Sequence, residues 1–74
     1  MAPMQKRSIK IDGHSTSVAL EAPFWDELKA IAVARSLSVN ALIAEIDHDR
    51  GAANLASSLR LYVLQTLRGK ISRV

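Results

Sequence analysis

The chain has 74 residues, 49% of them hydrophobic, and it contains no cysteine. A chain this short buries only about 60% of the surface that its unfolded form exposes, so one copy is marginally stable unless disulfides, a metal or a partner subunit add to its core. The lack of cysteine excludes disulfides and thiolate metal sites, and two histidines are too few for a typical zinc site. Composition therefore predicts an oligomer, most simply a homodimer, with no metal and no cofactor.

Ten Lys and Arg residues outnumber seven Asp and Glu residues, which gives a net charge of +3. Four of the basic residues lie between residues 55 and 74, where there is no acidic residue: Arg60, Arg68, Lys70 and Arg73. They are interpreted either as a basic region near nucleic acid or as cations that complement the C-terminal dipole of a helix. No apolar run reaches the roughly 18 residues that span a bilayer, and no secretory signal is found, so the cytoplasm is the predicted location.

The N-terminal pattern predicts a flexible leader over residues 1–5 and a β-hairpin over residues 6–21. Asp12-Gly13 is a strong hairpin signal, because a two-residue type I′ turn needs positive φ at both positions. With these two residues as the loop, Ile11 faces His14 and Ser8 faces Ser17. One face then forms the core side of the hairpin with Ile9, Ile11, Thr16, Val18 and Leu20. The outer face carries Lys6, Ser8, Lys10, Ser15, Ser17, Ala19 and Glu21.

Helical spacing predicts three helices after the hairpin, over residues 23–35, 39–49 and 55–68, followed by a basic tail over residues 69–74. Pro23 suits the first position of a helix, and Ser38 and Asn54 are good N-caps. Gly69 is predicted to close the third helix at its C′ position. The third helix is apolar over most of its circumference, which again indicates a second subunit. The predicted core and dimer residues are Ile9, Val18, Leu20, Trp25, Leu28, Leu42, Ile46, Leu59 and Val63.

The order of strand, helix, short turn and helix resembles that of the ribbon-helix-helix (Arc/MetJ-like) transcription regulators. The strand Thr16-Ser17-Val18-Ala19-Leu20-Glu21, the Pro23 that follows it and Leu37-Ser38-Val39-Asn40 carry the resemblance. Phe24-Trp25, Leu28, Ile46-Asp47, Asn54-Leu55 and Ser57-Ser58-Leu59-Arg60 are similar to a small bacterial branch with an extra leading strand and a third helix. The resemblance covers roughly residues 7–68 and implies a mostly α fold with a short β-ribbon, assembled as an intertwined dimer.

The resemblance also implies that the paired ribbon enters the major groove of double-stranded DNA while the N-terminus of the second helix holds a phosphate. Both expectations are physically sound, because a two-stranded ribbon fits that groove and a helix N-terminus attracts anions. Ala19 and Glu21 depart from the Arg, Lys, Gln or Asn that such ribbons usually present, and the leading strand compensates in part. The predicted DNA-binding residues are Lys6, Ser8, Lys10, Ser15, Ser17, Ser38, Val39 and Asn40.

Two functions remain open at the level of sequence. The first is a homodimeric DNA-binding transcription regulator. The second is a dimeric protein-interaction module, antitoxin-like or an adaptor, with little or no DNA binding. An enzyme is not expected, because no histidine lies at a recognisable catalytic spacing from Ser57 or Ser58. His48 lies between Asp47 and Asp49, but consecutive helical residues point in different directions and do not form a metal site.

Overall fold

A computed structural model describes residues 4–72, with side chains as far as Gly69. Two strands are followed by three helices: β1 (Met4–Ile11), β2 (His14–Glu21), α1 (Ala22–Ala34), α2 (Val39–Asp49) and α3 (Leu55–Ser72). The strands form an antiparallel two-stranded sheet, and the helices pack against one face of it. The predicted hairpin with three helices is thereby confirmed. Within the described residues, none of the helices is both long and apolar enough to cross a membrane.

The hairpin turn has the backbone that the Asp12-Gly13 pair predicts. Asp12 has a φ of 51° and Gly13 a φ of 82°, so both residues adopt the left-handed conformation of a type I′ turn. The strand register follows from this turn, with Ile11 opposite His14, Ile9 opposite Thr16 and Ser8 opposite Ser17. The predicted register is confirmed over these pairs, and it fixes which side chains share each face.

The first strand begins earlier than the sequence indicates. Met4 and Gln5, which the sequence pattern places in the leader, belong to β1, and Gln5 lies opposite Leu20. The Gln5 carbonyl also accepts a hydrogen bond of 2.9 Å from the Trp25 indole nitrogen. This contact between distant residues has no local sequence signal, which explains the difference. Residues 1–3 of the predicted leader lie outside the described residues.

The boundaries of two helices also differ from the prediction. Helix α1 begins at Ala22 and ends at Ala34, because Arg35 is its C-cap and Ser36 has a φ of 58° that turns the chain. Helix α3 continues through Gly69 to Ser72. A glycine closes a helix when it adopts positive φ, and Gly69 does not. Most of the predicted tail is therefore helical. Its last two residues, 73–74, lie outside the described residues.

Local capping explains where the second and third helices begin. The Ser38 hydroxyl oxygen accepts a hydrogen bond of 3.0 Å from the backbone N–H of Ala41. The Asn54 side chain likewise accepts from the backbone N–H of Ser57, at 3.2 Å. Each cap satisfies a backbone donor that the first turn of a helix leaves without a partner. Both predicted N-caps are thus confirmed.

The core lies between the inner face of the hairpin and the three helices. Its largest fully buried side chains include Trp25, Leu20 and Leu28, and no buried polar side chain occurs among the described residues. All of the residues predicted for the core or the dimer are buried within a single chain: Ile9, Val18, Leu20, Trp25, Leu28, Leu42, Ile46, Leu59 and Val63.

Arg35, the C-cap of α1, links the three helices. Its guanidinium donates to Glu45 of α2 at 2.9 Å and to Tyr62 of α3 at 3.2 Å.

Candidate nucleic-acid interface

The outer face of the hairpin is polar, small and basic. The five residues predicted to contact DNA from this face are all exposed: Lys6, Ser8, Lys10, Ser15 and Ser17. They share the face because cross-strand partners point to the same side of a sheet, and Ser8 pairs with Ser17 while Lys10 pairs with Ser15. Neither lysine side chain forms an ion pair with a described residue. The structure therefore brings together two lysines and three hydroxyl groups on one open surface.

Glu21 lies at the end of this face, and its charge is held by a cation from another element. The Arg60 guanidinium of α3 donates to the Glu21 carboxylate at 3.1 and 3.3 Å. A hydrogen bond from its own backbone, followed by the bond from Arg60, keeps the pKa of Glu21 below its ordinary value of 4.5. Paired in this way, the carboxylate repels a polyanion far less than an isolated one would.

Arg60 has a different place from the one that the sequence indicates. The sequence groups it with the cations at the C-terminal end of the third helix, but it lies in the second turn of α3. Its guanidinium contacts the Phe24 ring, with 5.8 Å between the guanidinium carbon and the ring centroid, as well as the Glu21 carboxylate. It therefore links α3 to the junction between β2 and α1. A pair separated by 39 positions leaves no periodic signal that could have revealed it.

Asp12, the other acidic residue of the hairpin, is also paired. His48 of α2 approaches its carboxylate at 2.9 Å. Both side chains are more than half exposed, so the pair adds little to stability. The contact shows that the hairpin turn lies close to the C-terminal half of α2.

At Lys10, the outer edge of β1 is closed by a side chain of α2. The Asn40 amide accepts a hydrogen bond of 2.9 Å from the backbone N–H of Lys10 and donates one of 2.7 Å to the Lys10 carbonyl. This bidentate contact satisfies the backbone groups that a neighbouring strand would use at that position. It also shows that the backbone N–H and C=O of Lys10 point away from β2.

The outer edge of β2 is open along its length. Directly opposed residues of an antiparallel pair point their backbone groups either toward each other or away from each other. Since Lys10 opposes Ser15, the N–H and C=O of Ser15 face outward, and by alternation so do those of Ser17 and Ala19. No described strand pairs with this edge.

A groove of about 420 Å³ runs beneath the open edge. Its lining includes Thr16, Val18 and Ala19 of β2 and Leu55 and Ala56 of α3. Arg60, one turn beyond Ala56, holds the far end of β2 through Glu21. Helix α3 therefore follows β2 on the side of its open edge.

The N-terminus of α2 lies beside Lys10, because Asn40 contacts the backbone of that residue. The predicted phosphate site at Ser38, Val39 and Asn40 is thus adjacent to one of the two predicted lysines. The Asn40 side chain is engaged at the edge of β1, so the groups that remain for an anion are the backbone N–H of Val39 and of Asn40 and the Ser38 hydroxyl hydrogen. Within the described part of the chain, no group of three potential metal ligands occurs.

Sequence reasoning missed the role of Arg7. This residue is half-buried on the core face, and its guanidinium carbon lies 5.0 Å from the centroid of the Trp25 ring. A cation over an indole face is attracted by the ring electrons. The alternation along the strand could have revealed this position, since Arg7 points to the same side of β1 as Ile9 and Ile11, which are buried. Arg7 is therefore not part of the basic outer face, although it is next to Lys6 in sequence.

Comparison with known proteins supports the resemblance. A family model described as a ribbon-helix-helix domain matches residues 4–67. Members of that family are in general DNA-binding regulators or antitoxins and are not enzymes.

Among solved structures, the chain is similar to an uncharacterized protein from Bordetella pertussis Tohama I, with 36% sequence identity and a TM-score of 0.79. The match covers 99% of this chain and 63% of that one. No curated protein matches. With a family model that spans most of its length and a strand-helix-helix order that agrees with it, the chain belongs to the ribbon-helix-helix family.

Proposed function

We propose that this protein is a cytoplasmic homodimer that binds double-stranded DNA through the outer face of its sheet and regulates transcription. The observation that carries the proposal is the composition of that face. It presents Lys6 and Lys10 without carboxylate partners among the described residues, while the nearby carboxylates of Asp12 and Glu21 are each paired with a cationic side chain or a histidine.

The proposed dimer forms by pairing of β2 with β2 of a second copy. Three features support this arrangement. The backbone groups of Ser15, Ser17 and Ala19 face an open edge, Asn40 blocks the edge of β1 at Lys10, and a groove lies under β2. A long open edge is a template for strand pairing, and a chain of 74 residues gains core from a partner.

DNA contact follows from charge and shape. The dimer presents four lysines and six serines on one surface, from Lys6, Lys10, Ser8, Ser15 and Ser17 of each chain. Lysine ammonium groups neutralise phosphates, and serine hydroxyls donate to or accept from either phosphates or base edges. At each side of the surface, the N-terminal backbone of α2 is available to a further phosphate.

A salt titration of binding to duplex DNA tests this function. Each neutralised phosphate contributes about −0.9 to the slope of log K against log salt, so four lysines give a slope of about −3.6. We expect the affinity to fall by about a hundredfold between 50 and 200 mM salt. Fluorescence anisotropy of a labelled random-sequence duplex measures it, and no detectable binding at 50 mM salt or below would exclude the DNA-binding function.

A second candidate is a protein-interaction module, which the open edge of β2 and its groove favour. An extended peptide can add a strand to such an edge while its alternate side chains enter the groove. This function is compatible with the small side chains of Ala19 and Ser17. A protein that fails to bind DNA at low salt, and that forms a stable complex with a strand-forming partner, would establish it instead.

A further inference from the structure

We infer that the two strands of the hairpin have separate roles on DNA: Lys6 and Lys10 of β1 bind the phosphates on either side of the major groove, and only β2 faces the bases. This inference rests on the proposed function. It follows from the number of strands in the sheet and from which edge is open.

Because the second copy pairs at the open edge of β2, β1 lies at the outside of the sheet of the dimer. Asn40 occupies the backbone N–H and C=O of Lys10, whereas the corresponding groups of Ser15 on β2 face outward without a strand. A second copy that pairs at β2 therefore makes a four-stranded sheet, with the two β2 strands in the centre and one β1 strand at each side. The reverse order, with β1 paired in the centre as far as Lys10, would require both Asn40 contacts to break.

Such a sheet is wider than the groove. Neighbouring strands lie about 4.8 Å apart, so the axes of the β2 strands lie about 2.4 Å from the twofold axis and those of the β1 strands about 7 Å from it. The major groove of B-DNA is about 12 Å wide, which leaves about 6 Å on each side of its centre. The central pair fits within the groove, and the outer strands lie over its phosphate rims.

The side chains on each strand agree with these positions. The outer face of β1 carries Lys6 and Lys10, whose long side chains and charges suit phosphates. The outer face of β2 carries Ser15, Ser17 and Ala19, which are short enough to approach base edges and bear no charge. The N-terminus of α2 adjoins Lys10, so its backbone amides lie on the same rim.

This arrangement predicts two different kinds of variant. Lys6→Ala or Lys10→Ala removes two phosphate contacts from each dimer and should make the salt slope less steep by about 2 units. It should weaken binding to every duplex by the same factor and leave the preferred motif unchanged. Ser17→Ala should leave the slope unchanged and should alter or broaden the motif that is selected from a random duplex pool.

The matched control is Lys29→Ala on α1. Lys29 is exposed and forms no ion pair with a described residue, and α1 packs on the opposite face of the sheet from Lys6 and Lys10. This variant has the same change of charge as the β1 variants, and we expect it to change the slope by less than about 0.5 units. Circular dichroism of each variant checks that the fold is retained.

Two results would overturn the inference while leaving DNA binding intact. One is a Lys6 or Lys10 variant that changes the selected motif, because those lysines would then read bases. The other is a slope that these variants change no more than Lys29→Ala does. If the parent protein binds no duplex at low salt, the proposed function fails, and this inference fails with it.

Discussion

Trp25 is the residue on which the contact between α1 and the hairpin depends. Its side chain is fully buried, its indole nitrogen donates to the Gln5 carbonyl, and Arg7 lies over its ring. A large aromatic side chain contributes both buried area and, through its N–H group, a specific orientation. The contact thus fixes the start of β1 as well as the angle of α1.

We expect Trp25→Ala to lower the free energy of unfolding by about 3–5 kcal/mol, because it leaves a cavity and removes a hydrogen bond from the Gln5 carbonyl. Urea unfolding at a fixed protein concentration measures the change. Val33→Ala is the control, since Val33 is 78% exposed and its truncation should cost less than about 0.5 kcal/mol. A loss below about 1 kcal/mol for Trp25→Ala would show that the indole does not hold α1 to the hairpin.

At the scale of the elements, the pair between Glu21 and Arg60 joins β2 to α3, and the lowered pKa of Glu21 makes this junction sensitive to acid. The pKa of Glu21 in the folded chain lies below its ordinary value of 4.5. Such a carboxylate stabilises the fold at pH values above its ordinary pKa. Its contribution disappears as the pH falls through the lower pKa that it has in the folded chain. Glu21→Gln should therefore lower the Tm near neutral pH, and the difference from the parent should close at acidic pH.

The Arg60→Gln variant provides the matching half of this test. It should show a smaller pH-dependent loss of Tm, because Glu21 keeps its own backbone hydrogen bond, the larger cause of its lowered pKa. The double variant should lose less than the sum of the two single variants, because both remove the pair between Glu21 and Arg60. Thermal unfolding followed by circular dichroism between pH 7 and pH 3, at one protein concentration, gives the values. If the difference between Glu21→Gln and the parent stays constant over this range, the carboxylate makes no pH-dependent contribution.

The elements differ in how far the sequence could predict them. The hairpin register and the caps of α2 and α3 follow from local chemistry, because Asp12-Gly13 specifies one turn and Ser38 and Asn54 each bond within their own helix. The contacts that shape the candidate site are between distant residues.

No spacing along the chain indicates that Asn40 closes the edge of β1 or that Arg60 holds Glu21. These contacts depend on how the layers pack, and they determine which edge is open and which charges remain on the outer face. The sequence therefore predicted which residues form the outer face. It did not predict that Arg60 pairs with the Glu21 carboxylate and so leaves the lysine charges to dominate that face.

At the scale of the whole molecule, one chain leaves apolar surface exposed on α3. Helix α3 follows the open edge of β2, and two of its leucines remain exposed, Leu61 at 54% and Leu64 at 48%. A second copy that pairs at β2 brings its own helical layer toward α3. We expect the two leucines to be covered in the dimer, so that the interface has a strand-paired part and an apolar part.

The double variant Leu61→Glu/Leu64→Glu tests this expectation, because it would place four carboxylates in the dimer interface without disturbing the core of one chain. If each substituted leucine costs about 1.4 kcal/mol of dimerisation free energy, the dimer dissociation constant rises about tenfold for each substituted leucine. Sedimentation equilibrium measures that constant, and Val33→Glu on α1 is the control with the same chemistry at a more exposed position. An unchanged dissociation constant in the double variant would mean that strand pairing alone holds the two chains together, and α3 would then have no part in the dimer.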